Sequence, residues 1–291
     1  MKIIVQYSGG KDSQASLIRA VKLYGSKNIT AVFADTNWEH EVTYKHLKTT
    51  TTDLGVELVV LKSKKYNGLI DLSLKKKRFP STKARFCTQE LKVKPFIDYI
   101  LDEVKDHVIV IQGIRADESV ARSRMNQQCR LFKFYTEPFG TDRKGKKKYH
   151  TYRKKEVLNF ISNYADDIIR PVFKWSGQRV IDYIIENDQK PNPLYKEGFK
   201  RVGCFPCVMS NLSSVKQLVN RYPERIQEIR SYEKMTKSSF FPPDKIPKYA
   251  RTNGIYPTII DVKNYVDGKS STIDLFETDK TSCMSFYSLC E

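Results

Sequence analysis

The apolar run at residues 2–7, with the loop that directly follows it, constrains the fold more than any other feature. The run reads KIIVQY, and the loop from Ser8 to Ser13 reads SGGKDS. A continuous apolar run of this length is typical of a parallel strand that is buried on both faces. Residues 13–24 then place apolar side chains at helical spacing. A glycine pair between such a strand and a helix lets backbone N–H groups approach an anion, so the pattern predicts a phosphate-binding turn.

Further apolar runs alternate with amphipathic segments along the N-terminal half of the chain. The predicted strands after the first are residues 30–36, 56–61 and 107–113, and residues 39–54 are a predicted helix. Strands that alternate with helices at this spacing predict an α/β fold with a doubly wound parallel sheet.

Ligands of open α/β sheets bind beyond the carboxyl ends of the strands. Three segments follow such ends in this chain, namely Ser8 to Ser13, residues 35–38 and residues 113–118. We therefore expect these segments to converge on one crevice.

The second half of the chain has a different pattern. The sequence pattern at residues 130–152 predicts an inserted β-hairpin with a Gly- and Lys-rich tip. The pattern beyond this hairpin predicts a mainly helical, cysteine-bearing C-terminal region. We expect a nucleotide-binding domain at residues 1–210 and a helical and irregular C-terminal extension at residues 211–291.

The charge of the chain is strongly positive and is concentrated in two places. The 51 Lys and Arg residues exceed the 33 Asp and Glu residues, which leaves a net charge of +18. Residues 62–94 are rich in Lys and Arg, and residues 143–155 contain no acidic residue. Such clusters attract polyanions, including nucleotides, DNA and RNA. The alternative is a solvated basic face with a flexible hairpin tip.

Two classes of protein are disfavoured by the sequence. No apolar stretch approaches the ~20 residues that cross a bilayer, so we expect a cytoplasmic protein with no membrane partner. The six cysteines are too few and too scattered for a disulfide scaffold, so we expect free thiols, metal ligands or redox groups.

A second candidate anion-binding element follows the strand at residues 107–113. Gly113 permits a close approach to a ligand at the end of that strand, and Arg115, Arg122 and Arg124 offer guanidinium groups for phosphate or sulfate. The neighbouring Asp117 and Glu118 would bind a metal ion or pair with these arginines.

These segments resemble motifs of known enzymes. The loop SGGKDS resembles the PP-loop, Ser-Gly-Gly-x-Asp-Ser, of adenine nucleotide α-hydrolase-like enzymes. Residues 113–124 are similar to the Gly-x-Arg-x-x-Glu-x-x-x-Arg element of the phosphoadenosine phosphosulfate (PAPS) reductase family. Residues 85–95 resemble that family's Arg-x-Cys-x-x-x-x-Lys stretch, and residues 170–184 and 192–207 resemble its later segments. The resemblance covers roughly residues 3–210.

The resemblance implies an activity and a set of site residues. In enzymes with this loop, the loop holds the β- and γ-phosphates of ATP while a nucleophile attacks the α-phosphorus, which leaves an adenylylated product and pyrophosphate. ATP and Mg²⁺ are the implied cofactors, and Lys11, Asp12 and Arg115 are the implied catalytic residues. The implied nucleotide- and phosphate-binding residues are Ser8, Gly9, Gly10, Lys11, Asp12, Ser13, Asp35, Gly113, Arg115, Glu118, Arg122 and Arg124.

Departures from the family leave alternatives open. PAPS reductases generally depart from the intact loop, because their ligand has no β- or γ-phosphate, and they carry a Glu-Cys-Gly-Leu-His motif, whereas Cys290 is followed by Glu291 here. The small subunit of ATP-dependent sulfate adenylyltransferase shares the loop but needs no Cys-x-x-Cys pair. The alternatives to an ATP pyrophosphatase are a PAPS or adenosine phosphosulfate reductase, an enzyme like that small subunit, and a non-catalytic nucleotide- or DNA-binding module.

The cysteines form the predicted metal site. Cys87, Cys204 and Cys207, with Cys283 or alternatively Cys290, would supply four thiolates to a [4Fe–4S] cluster. Structural zinc or unligated thiols are the alternatives.

The combination of an intact loop and cysteine ligands favours one branch of sulfur metabolism. We predict an ATP pyrophosphatase that activates a target by adenylylation for sulfur transfer, with nucleic acid as the target, as in phosphorothioation. Its expected partners are an adenine nucleotide, DNA or RNA at the basic patches, and a sulfur donor such as a cysteine desulfurase or thioredoxin.

Overall fold

The computed structural model describes residues 1–82, 84–252 and 254–269, and the chain folds as two compact units. Each unit is assembled from separate stretches of the chain. Unit 1 comprises residues 1–34, 44–61 and 93–191, and unit 2 comprises residues 35–43, 62–92 and the described part of the chain from residue 192. The boundary at residue 210 stays a prediction.

The described residues form eight strands and twelve α-helices. The strands are β1 (Lys2–Gln6), β2 (Ile29–Ala34), β3 (Glu57–Leu61), β4 (Val108–Gln112), β5 (Gln128–Arg130), β6 (Gly140–Thr141), β7 (Lys147–Lys148) and β8 (Asp166–Ile169). The helices are α1 (Lys11–Tyr24), α2 (Glu41–Asp53), α3 (Leu69–Lys76), α4 (Phe86–Thr88), α5 (Lys94–Tyr99), α6 (Val120–Ser123), α7 (Lys133–Thr136), α8 (Lys154–Asn163), α9 (Gly177–Ile185), α10 (Leu212–Arg221), α11 (Pro223–Thr236) and α12 (Ile259–Val266). None of the helices in this part of the chain is long and apolar enough to cross a membrane.

Unit 1 is built on a six-stranded sheet with the order β3-β2-β1-β4-β8-β5. The first five strands in this order are parallel, and β1 lies between β2 and β4, so Val5 pairs with Ala31 on one side and with Ile111 on the other. This arrangement confirms the predicted doubly wound α/β fold. The edge strand β5, which the sequence pattern does not predict, runs antiparallel to β8 and makes the sheet mixed.

The burial of β1 explains why its sequence is a continuous apolar run. On one face Ile4 packs with Val110 and Ile168, and on the other face Ile3 and Val5 pack in a second core cluster with residues of α1. Both faces of the strand are therefore covered, as in other parallel sheets.

The predicted hairpin is present but shorter than expected. Its two strands, β6 and β7, are two residues long, and helix α7 occupies part of the segment predicted to be strand.

Unit 2 is mainly helical, as the sequence predicts for the C-terminal region. Its core contains Trp38, Leu72, Phe240 and Phe241 among other buried apolar side chains. The buried Glu233 carboxylate accepts the backbone N–H groups of Phe240 at 2.8 Å and Ile259 at 2.9 Å, and burial raises its pKa.

Two features of the helices in unit 2 have local physical causes. Helices α10 and α11 are separate, with Tyr222 between them, because Pro223 starts a new helix and cannot continue the previous one. The C-terminal extension, predicted to be helical and irregular, contains α12. A capping box between Thr258 and Asp261 starts that helix.

Candidate active site

The predicted phosphate loop forms the turn between β1 and α1 in unit 1. Gly9 has a φ of +74°, a left-handed conformation that glycine adopts without strain. The Ser13 hydroxyl donates to the Gly10 carbonyl at 2.9 Å and accepts the Ser8 N–H at 3.2 Å. These bonds shape the loop at the N-terminus of a 14-residue helix, where the backbone N–H groups and the helix dipole favour an anion.

Lys11 and Asp12 form the first turn of α1. The Lys11 side chain is buried, with 5% of its surface exposed, and its ammonium nitrogen lies 3.9 Å from a carboxylate oxygen of Asp12. The loop therefore has a buried cation, Lys11, next to the predicted anion-binding position at the N-terminus of α1.

Gly113, directly after β4, touches the backbone of the loop. A Cβ atom on Gly113 would lie 2.4 Å from both the backbone nitrogen and the Cα of Ser13, and 2.5 Å from the carbonyl carbon of Asp12. No side chain fits at this distance from a backbone. Two of the three expected segments, the loop and residues 113–118, therefore meet in unit 1.

Arg115 links these two segments through its side chain. The guanidinium donates to Asp12 at 2.6 Å and to both carboxylate oxygens of Asp117 at 2.5 Å, and only 3% of the residue is exposed. The backbone N–H of Ala116 donates to the Phe173 carbonyl at 2.8 Å, which fixes the course of the segment. Two carboxylates thus hold a buried arginine beside the start of α1.

The remaining predicted residues of this segment lie nearer the surface. Glu118 accepts the backbone N–H of Arg115 at 3.2 Å and forms an ion pair with Arg122, whereas Arg124 is exposed. Of the two roles that the sequence left open for Asp117 and Glu118, the structure shows pairing with arginines.

Asp35, the predicted nucleotide-binding residue of the remaining segment, belongs to unit 2. It directly follows β2, and its carboxylate accepts the backbone N–H of Asn37 at 2.8 Å and lies 3.6 Å from the ammonium of Lys62. These residues line an open pocket of about 360 Å³ within unit 2, together with Ser63, Lys64, Lys65, Tyr66, Asn67, Gly68, Asp71 and Lys75. Convergence of residues 35–38 with the phosphate loop stays a prediction.

Three of the five cysteines named as metal ligands or alternatives lie in unit 2. Cys87, Cys204 and Cys207 all pack against its apolar core as free thiols, and Cys283 and Cys290 lie outside the described residues. The Cys204 sulfur lies 3.5 Å from the Thr36 hydroxyl and donates to Glu39 at 3.8 Å.

A lysine shares this environment. Burial raises the pKa of Cys204 to about 11, against the opposing effect of the Lys92 cation, and burial also raises the pKa of Cys87. The pKa of Lys92 is itself raised, chiefly by Cys204 and also by Glu39, Cys207 and Cys87. The Cys204 and Cys87 thiols and the Lys92 side chain therefore interact electrostatically within unit 2.

The described residues do not fit a metal centre by themselves. Within residues 1–82, 84–252 and 254–269, no group of three or more His, Cys, Asp or Glu side chains is arranged so that it could hold a metal ion.

A buried histidine next to α1 makes the stability of unit 1 depend on pH. His46 is hydrogen-bonded to Gln14 at 3.3 Å, and burial lowers its pKa to about 4 from the usual 6.5. Between these values the unfolded chain binds more protons than the folded chain, so stability is full above pH 6.5 and is lost as the pH falls towards 4. We expect this histidine to remove about 2 kcal/mol from the free energy of unfolding between pH 7 and pH 5. Denaturant titrations at both pH values would measure the loss, and His46→Gln should reduce it; an unchanged pH dependence in that variant would contradict the assignment.

Sequence reasoning missed several residues that shape these sites. Glu39 and Thr36 at Cys204, and the carbonyl of Phe173 at residue 116, carry no local signal, because each contact joins distant parts of the chain. Lys92 did carry a signal, since it is the lysine of the Arg-x-Cys-x-x-x-x-Lys stretch, but no role was assigned to it.

Comparison with known proteins gives one family. The phosphoadenosine phosphosulfate reductase domain matches residues 2–210 of the chain. An uncharacterized 37.8 kDa protein from the gpa 5′ region of Escherichia phage 186 is 30% identical, and the alignment covers 99% of this chain and 96% of that protein. An uncharacterized protein of Methanocaldococcus jannaschii is 28% identical over 76% of this chain, which spans 39% of that relative's length.

More distant matches include named enzymes. The adenosine 5′-phosphosulfate reductase of Mycobacterium tuberculosis is 25% identical over 37% of this chain and 45% of that enzyme. Among solved structures, the PAPS reductase of Candida auris aligns with a TM-score of 0.46 at 17% identity, covering 71% of this chain and 82% of that one. The FMN adenylyltransferase of Candida glabrata aligns with a TM-score of 0.44 at 15% identity, covering 72% of this chain and 57% of that one.

Proposed function

Because this chain belongs to the phosphoadenosine phosphosulfate reductase domain family, whose nucleotide-utilising PP-loop it carries, we propose that it is an ATP pyrophosphatase that adenylylates an acceptor in sulfur transfer. The reaction cleaves the bond between the α- and β-phosphates of ATP. An acceptor oxygen forms a bond to the α-phosphorus, and the bridging oxygen leaves with its electron pair on pyrophosphate.

The observation that carries this proposal is the pair of buried cations, Lys11 and Arg115, at an intact SGGKDS loop. Lys11 is 5% exposed and Arg115 is 3% exposed, and both lie at Asp12 in the first turn of α1. A loop of this kind suits a ligand with β- and γ-phosphates, which ATP has and PAPS lacks. Intactness of the loop therefore favours ATP over PAPS as the nucleotide.

Some of the site residues would bind the nucleotide, and others would act in catalysis. The loop from Ser8 to Ser13 would bind the β- and γ-phosphates through backbone N–H groups and the Ser8 hydroxyl, because the one proton of the Ser13 hydroxyl is already donated to the Gly10 carbonyl. Lys11 and Arg115 would stabilise the negative charge that develops on the leaving pyrophosphate, because preorganised cations in a buried site act strongly on developing charge. Asp12 would orient Arg115, as its 2.6 Å contact indicates.

Magnesium would reach the site with the substrate. Mg²⁺ in nucleotide sites is typically bound by one or two carboxylates together with phosphate oxygens. Asp12 is the one carboxylate within the loop itself, so it is the residue we assign to Mg²⁺ of a bound Mg·ATP. Asp35 is assigned to the ribose or adenine.

We further propose nucleic acid as the acceptor and a cysteine desulfurase or thioredoxin as the sulfur donor. The net charge of +18 and the two basic clusters support a polyanionic acceptor. A [4Fe–4S] cluster or zinc on Cys87, Cys204, Cys207 and a fourth cysteine stays a prediction, which iron and zinc analysis of anaerobically purified protein would test.

The decisive experiment follows the α-phosphate. The full-length protein is incubated with α-labelled Mg·ATP and, separately, sulfate, DNA or tRNA, and both pyrophosphate and the labelled acceptor are measured. We expect pyrophosphate and label on a nucleic acid. Label on sulfate would favour the adenylyltransferase alternative, ATP binding without pyrophosphate would favour a non-catalytic module, and thioredoxin-dependent sulfite release from PAPS would favour a reductase; each of these results would overturn the proposal.

A further inference from the structure

The hairpin of unit 1 has a turn that its own sequence specifies. We refer to residues 139–150 as the basic arm. The backbone N–H of Phe139 donates to the Lys148 carbonyl at 3.0 Å, and the N–H of Asp142 donates to the Lys146 carbonyl at 2.9 Å. The Asp142 carboxylate accepts the N–H groups of Lys144 at 2.8 Å and Lys146 at 2.9 Å. The arm's one acidic side chain therefore shapes the turn.

The base of the arm is held firmly on the rest of unit 1. His150 donates its backbone N–H to the Phe134 carbonyl at 2.9 Å, and the Tyr152 hydroxyl donates to Asp98 at 3.0 Å. Arg153 then pairs with Asp98 at 2.9 Å and with Asp102 at 2.7 Å. The arm is thus a defined projection with an anchored base.

The side chains of the arm present uncompensated positive charge. Its five basic residues, Arg143, Lys144, Lys146, Lys147 and Lys148, are all exposed. In the part of the chain that the structure describes, none of the five is ion-paired with a carboxylate. By contrast, Arg153 and Arg179 in the same unit have acidic partners. A charge that the fold leaves uncompensated is available to an external polyanion.

Exposed aromatic rings lie at the base of the basic arm. Phe139 is 48% exposed and Phe134 is 42% exposed, although large apolar side chains are usually buried. The Phe139 ring stacks on His150 with centroids 5.0 Å apart, and Phe134 meets the edge of Phe139 at 6.2 Å. Burial lowers the pKa of His150, so its ring is neutral at pH 7.

We propose that the basic arm binds single-stranded nucleic acid, with the cations of the arm on phosphates and Phe134 and Phe139 stacked on bases. Exposed cations next to exposed aromatic rings match the chemistry of single strands, whose unstacked bases offer π-faces that a duplex keeps internal. As the surface that binds a nucleic-acid acceptor, the arm rests on the proposed function. Its affinity for a single strand does not depend on that function.

The test measures binding without ATP. A fluorescent 20-nucleotide single strand, as DNA or RNA, is titrated with the full chain, and the anisotropy gives the Kd at several salt concentrations. Lys144→Gln/Lys146→Gln/Lys147→Gln should weaken binding about tenfold or more at low salt and reduce the slope of log K against log salt by about 2, since each phosphate contact contributes ~0.7. Phe139→Ala should weaken binding about tenfold and leave the slope unchanged, because stacking is lost and no charge is removed.

A matched control separates the arm from the overall charge. Lys216→Gln/Arg230→Gln/Lys234→Gln removes the same number of exposed charges from α10 and α11, and it should change the Kd less than about twofold. Equal loss in both triple variants, unchanged binding by the arm variants, or a preference for duplex DNA or anionic vesicles would overturn the proposal. Pyrophosphate release by the unaltered protein, assayed with ATP and a nucleic-acid acceptor, reports on the proposed activity separately, so binding by the arm and the activity can each fail without the other.

Discussion

Replacing Lys11 with alanine is expected to lower the rate of pyrophosphate release from ATP at least about a hundredfold while the fold is retained. The Lys11 ammonium is buried beside the phosphate loop, and losing one preorganised group that stabilises developing charge typically costs a factor of ~10² to ~10³. Asp12 keeps Arg115 as its partner at 2.6 Å, so the substitution leaves no unpaired buried carboxylate. A coupled pyrophosphate assay and a thermal unfolding curve measure the two expectations.

A control on the same helix distinguishes a local effect from a general one. Lys22 lies in the last turn of α1 and is exposed, so Lys22→Ala should retain nearly full activity. Pyrophosphate release that survives in Lys11→Ala would contradict the proposed role of the loop.

The second large effect is expected at Gly113. In Gly113→Ala, the new methyl group would lie 2.4 Å from backbone atoms of Ser13, and backbone cannot move aside as a flexible side chain can. Either β4 or the loop must shift, which should cost about 1–3 kcal/mol of unfolding free energy, the usual range for overpacking. We expect ATP affinity to fall at least about tenfold, because the loop's N–H groups would no longer converge on the phosphates.

Gly140 provides the matched control for this substitution. A Cβ atom there meets nothing within 4 Å, so Gly140→Ala should change the stability by less than about 0.5 kcal/mol. Denaturant unfolding and calorimetric ATP titration of both variants measure the difference. Unaltered stability and ATP affinity in Gly113→Ala would contradict the prediction that the close approach of Gly113 to the loop matters for folding and ATP binding.

The parts of the fold that could be predicted are those with local causes. Residues 2–7 indicate a buried strand because a parallel strand needs apolar side chains on both of its faces, and Ile3, Ile4 and Val5 are indeed buried. The antiparallel edge strand β5 could not be predicted in the same way. It is three residues long and pairs with β8, so its formation depends on a distant partner.

In the candidate site, too, some features have local causes and others depend on distant residues. The loop from Ser8 to Ser13 is recognisable from six consecutive residues, because its turn and helix start are made by its own backbone. The pairing of Arg115 with Asp12 joins residues 103 positions apart, and sequence alone left Asp117 and Glu118 with two possible roles.

The sequence by itself therefore determined the alternation of strands and helices, the phosphate loop and the positions of the basic clusters, since each depends on neighbouring residues and on local backbone conformation. Only the tertiary structure decided three further features. It placed Gly113 against the backbone of the loop, it paired Arg115 with carboxylates from two segments, and it grouped Lys92 with cysteines from two parts of unit 2. These features required the fold because steric contact and Coulomb interaction act over a few ångströms in space, and distance along the chain does not set distance in space.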